Sequence, residues 1–234
     1  MIDLLIVTHP HGDHIDEIGL LSQLCFQVRQ LSRPQWLTEQ EVYAANQLAD
    51  YTKVANYLGM NSTFSQPILD GQRVGDAPVS GGVSVEVFTS STCGRSNINN
   101  HSLAVGVGYA GFNIMVGGDN EPPSWRCLLE NPAFVDAARY TDLFVASHHG
   151  RFSGYCADLF EIMKPKLCLI SDGRQQDTDA TDRYSRHATG FSVRPRNGGP
   201  HQQRYAVTTR TDGFIDINVN FSILAGRTID VWVN

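Results

Sequence analysis

Between Thr8 and His14 the chain reads THPHGDH, and three of its eight histidines fall in this one stretch. Imidazole and carboxylate groups are what borderline divalent metals take where thiolates are absent. In an extended segment His9 and His11 project to the same side, two residues apart, so both reach one ion. Asp13 and His14 follow the turn at Gly12 and reach a second ion beside the first. The bland alternative is a polar loop without metal, but uncompensated histidines packed this densely are costly to bury. Two adjacent ions imply hydrolysis: they hold a water, lower its pKa toward neutrality and stabilise charge building on the substrate.

The motif needs a rigid edge to sit on. IDLLIVT (2–8) is a short, nearly continuous apolar run, the pattern of a buried strand, so the histidines lie at a strand's C-terminal end. Apolar residues at Ile15, Ile18, Leu21, Leu24 or Cys25, Val28 and Leu31 predict an amphipathic helix after it. Thr38 and Glu41 form a capping box that opens a second helix, expected to run to about Leu58. Strands are expected at 83–89, 102–109 and 112–118. Helices at SWRCLLE and YCADLFEIMK then alternate with strands at DLFVAS and KLCLIS. The end of the chain, from QRYAVTTR through GFIDINV to TIDVWV, reads as β. Residues 172–202 are expected to form a long surface loop with one helical turn, and the acidic run 177–182 to be solvated.

The 234 residues are 41% apolar, enough for a proper core, and one mixed α/β domain spanning 1–234 is expected. The formal charge of −6 excludes a global basic field drawing the chain to nucleic acid or anionic membrane. No apolar run is long enough to span a bilayer, so no membrane insertion is expected. Five scattered cysteines, none in a CxxC spacing, argue against a disulfide framework and for buried thiols in a reducing compartment. Met1 opens directly onto an apolar stretch with neither basic leader nor cleavage site, which suggests the cytoplasm.

The pattern His-x-His-x-Asp-His, met as His9, His11, Asp13 and His14, resembles the hallmark of the metallo-β-lactamase superfamily. The order continues as the family has it, with VGGDN placing Asp119, and VASHHG placing His148 and His149, each at a strand end. Together with NNHSLAV and TTRTDGFIDI, these motifs are similar to the metallo-hydrolase domain of ComEC-type DNA-uptake proteins and their soluble relatives, over about residues 2–220. The resemblance implies a four-layer αββα sandwich lacking its N-terminal strands, because only a few residues precede the motif here. It also implies that the numbering begins inside a longer protein or that an upstream segment or partner covers the first edge.

What the resemblance implies for the site is a pair of divalent ions, zinc first and manganese or iron as alternatives. His9, His11, Asp13, His14 and a bridging Asp119 are the expected ligands. His148 is expected as the last of them, and His149 as a group able to protonate a leaving oxygen. His101 is the imidazole available where the family has a further ligand, with Asn97, Asn99 and Asn100 as weaker oxygen donors. Asp13 is also expected to be essential for catalysis. Arg210 is a candidate for binding substrate phosphate, and Asp172 for supporting a ligand from behind. His187 and His201 read as solvated.

The expected function is a metal-dependent phosphodiesterase or nuclease. One alternative is a hydrolase of a lactone, thioester or lactam on the same fold. Another is a degenerate, non-catalytic binding or regulatory module. Arg194, Arg196, Arg204 and Arg210 in the cleft would favour phosphate, whereas Trp36 and Trp125 there would favour an uncharged acyl substrate.

Overall fold

The computed structural model describes residues 1–64, 81–173, 179–222 and 226–234. β1 (Ile2–Ile6) pairs in parallel with β2 (Val28–Ser32). The helix expected across 15–31 is therefore corrected: α1 covers only Ile18–Gln23. Cys25, at φ 56°, turns the chain, and Val28 and Leu31 come to lie opposite Ile2 and Leu5. Over so short an apolar run, helical and strand spacing do not separate, and pairing with β1 decides.

The Thr38–Glu41 capping box opens α2 (Glu39–Ala45) as expected. The helix does not continue to Leu58. It breaks at Asn46, passes through a short 3-10 turn and restarts as α3 (Tyr51–Thr63). α1 to α3 close over β1 and β2 around Val7, Ile15, Leu31, Val42, Val54 and Tyr57.

A six-stranded sheet carries the rest of the site. β3 (Val83–Phe88), β4 (Ala104–Tyr109) and β5 (Phe112–Val116) form an antiparallel meander. After β5 come α4 (Pro122–Leu129), α5 (Pro132–Arg139), β6 (Leu143–Val145), α6 (Leu159–Ile162) and β7 (Leu167–Ile170). α5 was not expected from the sequence, although Asn131 caps it and Pro132 opens it. β5, β6 and β7 run parallel, so their C-terminal ends share one edge.

Further on lie α7 (Thr181–Ser185), β8 (Phe191–Pro195), β9 (Gln202–Arg204), β10 (Ala206–Thr208), α8 (Thr209–Asp212), β11 (Ile215–Ser222) and β12 (Gly226–Val233). The surface loop expected over 172–202 thus contains a helix and a strand. β8 is built into a second sheet because β12 pairs with it in parallel, while β9 flanks its other side. Part of that stretch, and Asp177 and Thr178 of the acidic run, lie outside the described residues.

β10 joins β7 at the edge of the large sheet, and β11, β12, β8 and β9 make a four-stranded sheet. One face of the large sheet packs on α4 to α7 through Phe144, Trp125, Phe134, Phe160 and Tyr184. Its other face meets the four-stranded sheet through Phe112, Leu143, Leu167, Val193, Val207 and Val231. The protein is thus a mixed α/β fold of helices and mixed sheets.

The cysteine reading is corrected in part. Cys93 and Cys127 form a disulfide across 34 residues of sequence, Cα atoms 6.4 Å apart. Cys25 is exposed, and only Cys156 and Cys168 are the buried thiols expected. No described helix is long and apolar enough to cross a membrane.

Candidate metal centre

Three chain segments meet at the C-terminal edge of β1, β5 and β6. The loop after β1 is held by Asn46, at the break between α2 and α3. Its side-chain oxygen accepts from the Gly12 N–H at 2.8 Å, and its amide donates to the Pro10 carbonyl at 2.9 Å. The helix interruption that periodicity missed therefore braces the motif. A Cβ on Gly12 would come within 2.5 Å of the Asp50 carboxylate, so any larger residue there would have to displace that side chain at the start of α3. The Leu103 N–H donates to the Thr8 carbonyl and ties the loop to the large sheet.

Asp119 follows β5 after Gly118, whose φ of 55° and crowding against Ser102 and Leu103 leave no room for a side chain. The Asp119 N–H donates to Ser102 Oγ at 3.0 Å. After β6, His148 and His149 both adopt left-handed backbone, at φ 48° and 55°. Each such non-glycine residue costs roughly 1–2 kcal/mol, strain that persists only where surrounding contacts impose it. Here the His148 N–H donates to the Gly118 carbonyl, and Ser147 Oγ to the Asn120 carbonyl.

These segments bring together two donor sets: His9, His11 and Asp119, and beside them Asp13, His14 and His149. Asp119 faces both, with Oδ2 3.7 Å from His9 Nε2 and Oδ1 3.4 Å from His14 Nε2. Asp13 Oδ2 lies 3.3 Å from His149 Nε2 and 3.7 Å from His14 Nε2. The buried Nε2 atoms of His14 and His149 have no hydrogen-bond partner. Orphaned imidazole nitrogens aimed at two carboxylates fit a metal better than a finished hydrogen-bond network.

The electrostatics agree. Burial pushes His9 down to about 3 and also lowers His11, so both imidazoles are neutral at neutral pH, the form that binds a metal. Burial alone would raise Asp119, but the nearby imidazoles of His14, His9 and His148 hold it below the usual carboxylate range. The His149 imidazole beside Asp13 keeps that carboxyl well below the range and is itself raised in return.

Several expected residues stand elsewhere. His101 is not brought into either set. It is fully buried, its Nδ1 accepting from Trp36 Nε1 at 2.8 Å and its Nε2 directed at the Arg95 carbonyl at 3.2 Å. With both nitrogens used, the expected ligand there gives way to a structural tie between Trp36 and the 95–101 turn. The side-chain nitrogens of Asn97 and Asn99 donate to Glu121 at 2.9 and 3.1 Å, and Asn97 Oδ1 accepts from the Asn99 N–H at 3.0 Å.

Both of the adjacent histidines come to the centre, His149 among its donors rather than apart from them as expected. His149 belongs to the second donor set, its Nδ1 bonded to the Ser171 carbonyl at 2.9 Å. His148 stands beside the first, with Nε2 3.8 Å from Asp119 Oδ2. Asp172 does not support a ligand. It pairs with Arg210 at 3.1 Å, and Asp179 takes the other end of that guanidinium at 2.5 Å. Arg210 is thereby occupied by protein carboxylates rather than presented to a phosphate.

Arg194, Arg196 and Arg204 pair with Asp230, Asp216 and Asp212 around the four-stranded sheet. Trp125 is buried in the helix layer and does not wall the cleft. His187 is not solvated as expected but stacks on Phe160 at 4.3 Å and bonds the Tyr155 hydroxyl at 2.7 Å. Glu121 and Ser153, which the sequence gave no reason to single out, both approach His148. Among known proteins, no family model and no curated protein matches the chain.

Proposed function

We propose that the protein is a binuclear metal-dependent hydrolase of the metallo-β-lactamase type, acting on phosphodiesters. The observation that carries this reading is Asp119 standing between two three-donor sets, one carboxylate oxygen toward each. His9, His11 and Asp119 would hold one ion, and Asp13, His14 and His149 the other. All six are nitrogen and oxygen donors, which suits zinc first and manganese or iron as alternatives. Such ions supply a hydroxide near neutral pH and stabilise negative charge on the substrate.

The chain's own part is to keep the donors deprotonated and rigid. Burial does the first for His9 and His11, and Asn46, Ser102 and the strained turn after β6 do the second. As a ligand, His149 is not the leaving-group acid. The helices on one face of the large sheet and the second sheet on its other face are compatible with the four-layer sandwich of this superfamily. The choice of phosphodiester rests on the sequence resemblance to the ComEC-type domain.

Elemental mass spectrometry of zinc-equilibrated protein, followed by assay on bis(p-nitrophenyl) phosphate, a lactone and a thioester, tests the reading. Two ions per chain with turnover of the phosphodiester are expected. Two ions with turnover only of an acyl substrate would move the reading to lactone, thioester or lactam hydrolysis. No bound metal would leave a non-catalytic binding module.

A further inference from the structure

The donor set of His9, His11 and Asp119 is short of the histidine expected at 101, and His148 stands next to it. What holds the His148 ring is a polar chain that begins some fifty residues earlier. The Asn97 side-chain oxygen accepts from the Asn99 N–H at 3.0 Å, which fixes both amides toward α4. Asn97 donates to Glu121 Oε2 at 2.9 Å, and Asn99 to Oε1 at 3.1 Å. Oε1 in turn lies 3.4 Å from His148 Nδ1, which also meets Ser153 Oγ at 2.8 Å.

Glu121 directly precedes α4, yet its side chain makes no capping hydrogen bond there, so its carboxylate is committed to the asparagines and the imidazole. The Cys93–Cys127 disulfide ties the segment carrying Asn97 to the same helix.

A neutral imidazole has one N–H, and a carboxylate facing Nδ1 favours the proton there. On the other side of the ring, Asp119 Oδ2 stands farther off, 3.8 Å from Nε2 against 3.4 Å from Nδ1 to Glu121, so the nearer carboxylate favours the proton on Nδ1. The Nε2 lone pair is left facing Asp119. Carboxylates placed behind a metal-binding histidine set its tautomer and raise its basicity, and losing one typically weakens metal affinity by about 10–100-fold.

We propose that Glu121, held by Asn97 and Asn99, is a positioning residue that keeps the His148 proton on Nδ1 and so makes His148 the fourth donor of the His9, His11 and Asp119 position. The assignment rests on the metal reading above, and its first test needs no metal. In metal-free protein labelled with 15N histidine at pH 8, long-range 15N–1H spectra should show His148 protonated at Nδ1. Glu121→Gln should shift it to a mixture or to Nε2–H. Protonation of His148 at Nε2 in the unsubstituted protein, or a tautomer untouched by Glu121→Gln, would overturn the proposal.

Zinc competition against a chromophoric chelator provides the second test. Glu121→Gln should weaken one of the two ions by roughly 10–100-fold and leave the other unchanged. Equal weakening of both ions would point to a merely structural role and overturn it. If the unsubstituted protein binds no zinc but shows the Nδ1 tautomer and its loss in Glu121→Gln, the metal reading fails while the hold of Glu121 on the ring stands. Two bound ions with a tautomer insensitive to Glu121 would mean the reverse.

Discussion

Asp119→Asn removes the charge between the two donor sets while keeping the shape of the side chain. In the unsubstituted protein each ion of the proposed pair, at a free concentration about 100-fold over its dissociation constant, would stabilise the fold by about 2.7 kcal/mol, or roughly 5 kcal/mol for two. A chain of this size gains about 2–4 °C in thermal midpoint per kcal/mol, so zinc should raise the midpoint by about 10–20 °C. Asp119 contributes an oxygen to each set, so Asp119→Asn should cut the rise to less than about a quarter of this. Asp13→Ala removes a donor from one set only and should leave about half the rise. The assay is thermal denaturation by circular dichroism with zinc and with chelator, the chelated samples showing that each variant still folds. A full zinc-induced rise in Asp119→Asn would refute the bridging role, and no rise in the unsubstituted protein would refute the metal centre itself.

Three other outcomes follow from the same geometry. Metal-free protein should be most stable near pH 6.5. His9 and His11, lowered by burial, stay neutral in the fold but take protons in the unfolded chain, so stability is lost as pH falls below about 6.5. His149, raised by the Asp13 carboxylate beside it, adds stability that is present below 6.5 and lost as pH climbs through its folded value. Urea midpoints across pH 4.5–8.5 measure this, and a monotonic profile would contradict it. Reducing Cys93–Cys127 frees a loop of 34 residues, with an entropic ceiling of about 4 kcal/mol, and should lower the thermal midpoint by up to roughly 15 °C. A midpoint indifferent to reductant would argue against the bond. His101→Ala should leave the zinc count at its unsubstituted value while costing about 1–3 kcal/mol in urea unfolding, because Trp36 Nε1 and the Arg95 carbonyl lose their partner; a lowered count would return His101 to the ligands.

The placing of His148 and His149 shows where sequence reading stops. Both are imidazoles at the end of one strand, and their order along the chain does not say which way either ring points. That is settled by two consecutive left-handed residues, held by the contacts of His148 with Gly118 and of Ser147 with Asn120 on the segment after β5. The break at Asn46 is similar, because its side chain is committed to Pro10 and Gly12, more than thirty residues away.

By itself the sequence determined the local features: the donor atoms at 9, 11, 13, 14 and 119, their placement at strand ends, the Thr38–Glu41 cap and the strands from 83 to 116. Each depends on residue type and on spacing within a turn or a strand, which neighbours along the chain fix. Only the tertiary structure decided that His101 turns to Trp36, that Arg210 is taken by Asp172 and Asp179, that Val28 and Leu31 form a strand, and that Cys93 meets Cys127. Each of these is a choice of partner among residues distant in sequence, and a side chain able to bond several partners is committed only when packing brings one of them within reach.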